Sequence, residues 1–171
     1  MKKNILVGAI AGVMTFCVNA AEPTTGTLSF NGTVVESPCN ISSLSADQAI
    51  DLGLVSKSIL NQGGTSSQKD INIVLENCDV STMSKAKIVF SGNVDGSTEL
   101  ATSGTAKNVV VKINGYGKNV EFGQKTDAIA IVNGTNTLHF TAWAEKSANA
   151  KGADVTEGNF SAVSNFNISY E

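Results

Sequence analysis

The sequence contains no arginine: its twelve basic residues are all lysines, set against fifteen acidic residues. Proteins that bind nucleic acid usually present a basic stripe in which arginines contact phosphate groups. The composition therefore argues against a nucleic-acid partner. Aromatic residues make up only 6% of the chain and prolines number two. Ser, Thr, Asn, Gly and Val are plentiful instead, which is typical of short strands joined by many turns.

Residues that ligate metals or carry out catalysis are scarce as well. His139 is the only histidine, and of the three cysteines only Cys39 and Cys78 lie outside an N-terminal apolar run. None of them shows the close spacing of a zinc site. The acidic residues lack the spacing of an acid–base pair or of a calcium loop. The sequence thus predicts no metal site, no cofactor and no enzymatic activity.

The N-terminus has the pattern of a secretory signal peptide. Lys2 and Lys3 precede an apolar stretch, residues 5–18, that is too short to span a bilayer comfortably, and polar residues follow at once. We predict a signal peptide over residues 1–20, cleaved before Ala21. A retained membrane anchor is the alternative.

Cys39 and Cys78 are the two cysteines that remain after cleavage. An even pair in an exported protein indicates a disulfide, because the compartment outside the inner membrane is oxidising. Closing a loop of this length contributes up to about 4 kcal/mol of stability in the chain-entropy treatment. Metal binding is the alternative reading of the pair.

Alternation of apolar and polar residues with a period of two dominates the rest of the chain. The only sign of a helix is a short turn near residues 45–48. Seven to nine short strands with frequent turn signals predict a single β-sandwich domain. The predicted strands cover residues 27–35, 49–55, 71–75, 87–90, 108–113, 119–122, 137–146 and 160–170.

The two ends of the mature chain complement each other. The last predicted strand runs to Tyr170, one residue before the C-terminus, whereas an immunoglobulin-type sandwich normally has a further strand there. The other end begins with a polar tip, residues 21–25, that leads into an alternating segment. A domain that lacks one strand, next to a neighbour with a strand to spare, explains both ends. A terminal strand at a quiet sheet edge is the alternative.

Four segments resemble the type 1 and P-type fimbrial subunits of the chaperone–usher family. The opening GTLSFNGTVV, residues 26–35, is followed by Cys39, and DLGLV at 51–55 is similar to the family's second strand. INIVLENC at 71–78 resembles the segment that brings in the second cysteine. GNFSAVSNFNISY at 158–170 is similar to the last strand with its penultimate tyrosine. The resemblance extends over essentially the whole mature chain.

This resemblance implies an all-β fold: an incomplete Ig-like sandwich lacking its final strand, completed by donor-strand exchange. Residues 21–34 are then an N-terminal extension and residues 35–171 the pilin domain. The implied partners are neighbouring pilin subunits in a homopolymer, a periplasmic chaperone and an outer-membrane usher. The implied location is a fimbrium on the bacterial surface, reached through the periplasm.

The resemblance also implies roles for individual residues. The donor residues that would point into a neighbour's groove are Gly26, Leu28, Phe30, Gly32 and Val34. The strand that borders this subunit's own acceptor groove would contain Phe166, Ile168 and Tyr170, and the Glu171 carboxylate would anchor the chaperone. Pro23 cannot donate a ladder hydrogen bond, so the donor strand should begin no earlier than Thr24 or Thr25.

The resulting hypothesis is a structural fimbrial subunit, and the short extension favours the major shaft subunit over a minor adaptor or a terminator. A receptor-binding adhesin is less consistent, because adhesins of this family carry an additional lectin domain. A small secreted enzyme or ligand-binding module would need a convergent polar cluster. His139 and Trp143 share the polar phase of their strand, which predicts a solvent-facing histidine and a tryptophan partly sheltered by a neighbouring loop.

Overall fold

The computed structural model describes residues 26–32, 34 and 37–171. The chain divides into two units, residues 1–34 and 35–171, and each is described by itself. The predicted signal peptide and its cleavage site lie outside the described residues. In the first unit, the described residues form no strand or helix, and their backbone is exposed chain without regular structure.

The regular structure described in the second unit consists mostly of β-strands. Its two α-helices are short, and none in the described part of the chain is long and apolar enough to cross a membrane. In chain order the elements are β1 (Asn40–Ile41), α1 (Ser43–Ala46), α2 (Lys57–Asn61), β2 (Lys69–Cys78), β3 (Lys85–Gly92), β4 (Leu100–Ala101), β5 (Ser103–Gly104), β6 (Val109–Gly115), β7 (Lys118–Asn119), β8 (Ile129–Ala130), β9 (Gly134–Lys146), a 3-10 turn (Ala148–Ala150), β10 (Phe160–Ser161) and β11 (Ser164–Tyr170).

Strand β9 is the centre of the larger sheet, whose order is β1-β2-β9-β6-β4, with β7 added to β6. It pairs antiparallel with β2 on one edge and with β6 on the other. Strict alternation along β9 buries Leu138, Phe140, Ala142 and Ala144, each no more than 4% exposed. Because one face of the strand is polar and the other apolar, the sequence dictates which face meets the core.

A second sheet has the order β11-β3-β8, and a separate pair joins β10 to β5. Ile88 and Phe90 of β3 are buried together with Ile73 of β2 and Leu138 and Phe140 of β9. The main core therefore lies between the two sheets, as in a β-sandwich. The rings of Phe90 and Phe140 meet edge to face, with centroids 5.0 Å apart, the geometry that aromatic pairs favour.

A second, smaller core forms around helix α2, which the sequence did not predict. Leu60 is its one buried residue and packs with Val109, Ala144 and Val155. The Asn61 side chain accepts a hydrogen bond from the backbone N–H of Val155 at 2.8 Å. A helix of five residues is too short to show helical periodicity, so tertiary contacts rather than intrinsic propensity hold it.

Several predicted strands are present and several are not. Those predicted at 71–75, 87–90 and 137–146 lie within the longer strands β2, β3 and β9, and the one predicted at 108–113 lies in β6 except for Asn108. Of the strand predicted at 119–122, only Asn119 is in a strand, the two-residue β7. That at 160–170 is interrupted at Ala162 and Val163, and the helical turn near 45–48 is α1, somewhat earlier in the chain.

The predictions for residues 27–35 and 49–55 are wrong for the single chain. No strand is found at 26–32, at Val34 or at 47–56. In the second case Gly53 has φ +70°, and its N–H donates to the Asp51 carboxylate at 2.8 Å. This local turn competes with an extended ladder, so the apolar alternation produces no strand there.

Candidate functional site

An open groove, of about 940 Å³, runs along one side of the second unit. It lies where the two sheets of the sandwich part, between a wall formed by residues 45–55 and a wall formed by residues 158–166. Ile41 of β1 adds to its rim. Its floor is formed by side chains from five strands: Ile71, Phe90, Leu100, Val111, Ile113 and Ala142.

The floor of the groove belongs to the main core. Phe90 and Leu100 are each 3% exposed, and Ile113 is 4% exposed, yet all three also line the groove. An apolar surface so continuous with the core is an interaction site in soluble proteins. The groove thus has the chemistry of a hydrophobic slot rather than of a catalytic centre.

The first wall is a segment without strand structure. Leu52 packs against both core clusters and Val55 packs against the smaller one, so two apolar residues anchor it. Ile50 and Leu54, by contrast, face solvent, and the Leu54 side chain is fully exposed. Uncovered apolar residues beside an apolar groove indicate that this wall is an interaction surface.

The opposite wall contains the break between β10 and β11. Val163 is 74% exposed at this break, and its carbonyl oxygen lies only 2.8 Å from where a Cβ of Gly92 would stand. Gly92, the last residue of β3, therefore permits a close approach that any other residue would obstruct.

Strand β11 is an edge strand in the described part of the chain, because it pairs with β3 and with nothing on its other side. Phe166, Ile168 and Tyr170 all pack against the main core but remain only partly buried. An unpaired edge with half-covered apolar side chains is a template for a further strand.

The residues predicted for the acceptor groove are only partly brought together. Phe166 lines the groove, and its ring centroid lies 6.3 Å from that of Phe90. Ile168 and Tyr170 continue along the same strand beyond the groove lining. Burial raises the pKa of the Tyr170 hydroxyl, an effect that its hydrogen bond with Ser37 partly opposes.

Glu171 lies at the far end of β11, held by β3. Its main-chain oxygen accepts hydrogen bonds from the N–H groups of Ser84 and Lys85, each at 3.0 Å. Its side-chain Oε2 accepts one from Lys87 Nζ at 2.8 Å. This hydrogen bond, together with the positive charges of Lys87 and Lys85, lowers the pKa of the Glu171 side-chain carboxyl.

The five residues predicted for the donor face are all exposed in the first unit. Leu28 is 83% exposed, Phe30 is 88% exposed and Val34 is fully exposed. Gly26 and Gly32 have no atoms close to the position of an added Cβ. This segment exposes three large apolar side chains within seven residues. Covering them with another surface would be energetically favourable.

The structure forms a disulfide between Cys39 and Cys78, whose Cα atoms are 4.1 Å apart. Both cysteines are 5% exposed and belong to the main core. The bond ties the chain just before β1 to the end of β2, and so it fixes the point where the groove rim begins at Ile41.

His139 and Trp143 have the exposures predicted from the alternation of their strand. His139 is exposed, and its Nδ1 is 2.7 Å from the side-chain oxygen of Asn72 on the neighbouring strand. Trp143 is half-buried and donates from Nε1 to Glu145 at 2.8 Å. Neither lines the groove.

Comparisons with known proteins agree on one family. The family model described as "Fimbrial protein" matches residues 28–171. The Pap fimbrial major pilin protein of Escherichia coli is 46% identical, with all of both chains covered. The PRS fimbrial major pilin protein of Escherichia coli is 44% identical over 90% of this chain and 99% of the relative.

The chain belongs to the fimbrial protein family.

Solved structures of fimbrial subunits have the same fold. The crystal structure of the P pilus rod subunit PapA is 43% identical, with a TM-score of 0.73, and covers 79% of this chain and 100% of that chain. A solved structure of a chaperone–usher pilus, which addresses how the rod uncoils, is 43% identical to this chain with a TM-score of 0.81. The match covers 90% of this chain and 100% of that chain. The predicted resemblance is therefore confirmed, and so is the Ig-like sandwich that lacks a strand.

Membership of this family establishes what kind of protein the chain is. Fimbrial proteins are structural subunits and not enzymes. The predicted role as a structural subunit of a fimbria, of the major shaft type, is confirmed by the major pilins among its relatives. Its location is the fimbria on the bacterial surface.

Sequence reasoning missed the floor of the groove. Its residues occupy core positions of strands that were mostly predicted, but their alternation is the same whether or not another layer covers them. The wall at 45–55 carried a usable signal: an apolar alternation, with Ile50, Leu52 and Leu54, interrupted by a glycine-containing turn.

Proposed function

We propose that this fimbrial subunit polymerises with copies of itself by donor-strand exchange, in which residues 26–34 of one subunit fill the groove of the next. β-Strand addition of this kind is a known mode of recognition between chaperones and pilins. The observation that carries the proposal is the open groove, whose floor is core and whose two walls have no strand between them.

The chemistry of the two surfaces is complementary. The donor segment exposes Leu28, Phe30 and Val34, and the groove offers an apolar floor that includes Ile71, Phe90 and Ile113. Burial of each such side chain contributes about 1.5–3 kcal/mol, and each new ladder hydrogen bond adds about 0.5–1.5 kcal/mol. A chain of subunits joined in this way would resist dissociation.

The donor face comprises Gly26, Leu28, Phe30, Gly32 and Val34, and it alternates with a polar face formed by Thr27, Ser29 and Asn31. Gly32 lets the donated backbone lie close to the acceptor's core. Pro23 lacks an N–H, so pairing begins no earlier than Thr24 or Thr25. The open edge of β11, with Phe166, Ile168 and Tyr170, is the edge that the donated strand joins.

Before assembly, we propose that a periplasmic chaperone covers the same groove and that an outer-membrane usher replaces it with the next subunit. The C-terminal carboxylate of Glu171 lies at the end of β11, where its main-chain oxygen accepts hydrogen bonds from the N–H groups of Ser84 and Lys85, and it is the proposed anchor for basic residues of the chaperone. Export with cleavage before Ala21 precedes these steps.

The test uses the subunit purified with its chaperone and a synthetic peptide of residues 21–35. We expect the peptide to displace the chaperone and to raise the unfolding temperature strongly. A Phe30→Asp peptide should fail, because burying a carboxylate in an apolar slot costs several kcal/mol. The matched control, Ser29→Asp, introduces the same charge on the opposite face and should retain displacement.

Two results would refute the proposal. One is a subunit that folds as a stable monomer without chaperone or peptide. The other is equal activity of the Phe30→Asp and Ser29→Asp peptides, which would mean that the donor face is assigned to the wrong side of the strand.

A further inference from the structure

Three asparagines in this chain are followed directly by glycine: Asn31, Asn114 and Asn133. In an Asn-Gly pair the glycine nitrogen can attack the asparagine side-chain carbon, because glycine has no Cβ to hinder the approach. The attack requires the backbone to leave extended ladder geometry and bring the two groups together. The local structure of each pair therefore decides whether it reacts.

Two of the three pairs are held in the sandwich. Gly115 is paired with Phe140 of β9, and the Asn114 side chain donates to the Asn119 side chain at 3.0 Å. Gly134 is paired with Cys78, and the Asn133 side-chain oxygen accepts from the N–H of Val80 at 2.9 Å. In both, the backbone and the side chain would have to leave existing hydrogen bonds before reacting.

The pair at Asn31 and Gly32 differs from both. Both residues are exposed, and residues 26–32 belong to no strand or helix. Within the described residues, the side chain of Asn31 makes no hydrogen bond, and an added Cβ at Gly32 would meet no atom within 4 Å. Exposure alone does not distinguish this pair, since Asn133 is exposed as well. The distinguishing feature is that Asn31 and Gly32 belong to no β-ladder.

We propose that Asn31 is a deamidation site of the unassembled subunit, and that the isoaspartate formed there disables the donor strand. The second half of this proposal rests on the proposed function; the first does not. The reaction needs only water, so no enzyme, metal or oxidant takes part.

The chemistry is a ring closure followed by hydrolysis. The Gly32 nitrogen gives up its proton and bonds to Cγ of Asn31, the Cγ–Nδ2 bond breaks, and the departing amide nitrogen takes up a proton and leaves as ammonia. Water then opens the succinimide: cleavage at Cγ gives aspartate, and cleavage at the main-chain carbonyl gives isoaspartate. In isoaspartate the main chain runs through Cβ and Cγ, so it is one atom longer.

One additional backbone atom breaks the alternation at the centre of the donor face. Leu28 and Phe30 precede the insertion, whereas Gly32 and Val34 follow it. A strand shifted by part of a residue cannot keep both halves on one face of a ladder with a period of two. A subunit that waits too long before assembly would therefore lose its ability to donate, while its own groove would be unaffected.

The modification is tested on the full subunit, bound to its chaperone and kept in mildly alkaline buffer. After reduction, cleavage at lysine separates the three pairs into peptides ending at Lys57, Lys118 and Lys146. Deamidation adds about one mass unit. We expect the Asn31 peptide to convert fastest, and all three to convert at similar rates in denaturant. Asn31→Gln should remove its signal alone.

Equal conversion of the Asn31 and Asn133 peptides in the folded subunit would overturn the proposed site. The same subunit supplies the test of the consequence. Three synthetic peptides of residues 21–35 carry asparagine, aspartate or isoaspartate at position 31 and are compared for displacement of the chaperone.

We expect the isoaspartate peptide to displace the chaperone at least about tenfold less well, and the aspartate peptide to match the asparagine peptide. The aspartate peptide separates the effect of charge from that of the longer backbone. Equal displacement by all three would refute the loss of donor function. If the asparagine peptide itself fails to displace the chaperone, donor-strand exchange is wrong, and the mass measurement still decides the deamidation site.

Discussion

Strands β9 and β11 carry the same kind of sequence but reach different degrees of burial. Leu138, Phe140 and Ala142 of β9 are at most 4% exposed. Phe166 and Ile168 of β11 follow the same alternation and stay only partly buried. The difference is one of neighbours, since β9 has a strand on each edge and β11 has a strand only on its β3 side.

The same apolar alternation is therefore buried in β9, where the chain supplies a strand on both edges, and only half covered in β11, where it supplies one. A single chain satisfies the pattern in β9 and leaves it half satisfied along β11 and at Leu54 on the opposite wall of the groove. The described residues of the donor segment, 26–32 and Val34, likewise belong to no ladder in the single chain. Under the proposed function, the two unsatisfied patterns complete one another between neighbouring copies.

The largest expected effect comes from truncating one aromatic ring in each strand. Phe140→Ala should destabilise the peptide-complemented subunit by about 3–5 kcal/mol, because it opens a cavity in the core. Phe166→Ala should cost nearly as much in that complex, although Phe166 is half-buried in the single subunit. Urea unfolding with excess peptide measures both. If the Phe166→Ala cost stays near half that of Phe140→Ala, the peptide does not cover β11.

A smaller effect is expected at the groove wall. Leu54→Glu should leave the subunit's fold intact, because the side chain is fully exposed, yet weaken binding of the 21–35 peptide by about 1.5–3 kcal/mol. Leu44→Glu is the matched control: it is 84% exposed and lies outside the groove. Titration of labelled peptide measures the dissociation constants. Equal affinities of the two variants would show that the 45–55 wall takes no part in binding.

The smallest effect is a pH dependence at the end of β11. The hydrogen bond from Lys87 lowers the pKa of the Glu171 side chain in the folded state. The folded subunit therefore binds that proton less readily than the unfolded chain does, and the stabilisation is present above the ordinary carboxyl pKa and lost as pH falls through the lowered one. Across this acidic range, the unfolding temperature of Lys87→Gln should change slightly less with pH than that of the unmodified subunit. An identical profile would mean that the pair contributes nothing to folding.

Much of the fold could be predicted because the apolar alternation of each long strand identifies the face that points into the core. Alternation located β2, β3, β6 and β9, and the pair of cysteines in an exported chain indicated the disulfide. Two-residue strands such as β4 and β5 escaped prediction, since a period of two cannot be read from two residues.

The candidate site was predictable only in part, for a physical reason. Phe166 could be assigned because it lies in the last strand of a recognisable family pattern. Ile113 and Ala142 could not, because a core residue under an open groove has the same local sequence as one under a complete layer. The strand predicted at 49–55 failed because the Gly53 N–H donates to the Asp51 carboxylate and forms a local turn, which competes with extended pairing.

The most direct test of the account is amide hydrogen exchange of the subunit, first bound to its chaperone and then complemented by the 21–35 peptide. Amides of β9 should remain protected in both, since that strand is paired on both edges. We predict that β11 amides on the side away from β3 stay protected when the 21–35 peptide replaces the chaperone, because the donated strand then pairs with that edge. Rapid exchange along β11 while the unmodified peptide is bound would contradict the central claim that the donated strand pairs there.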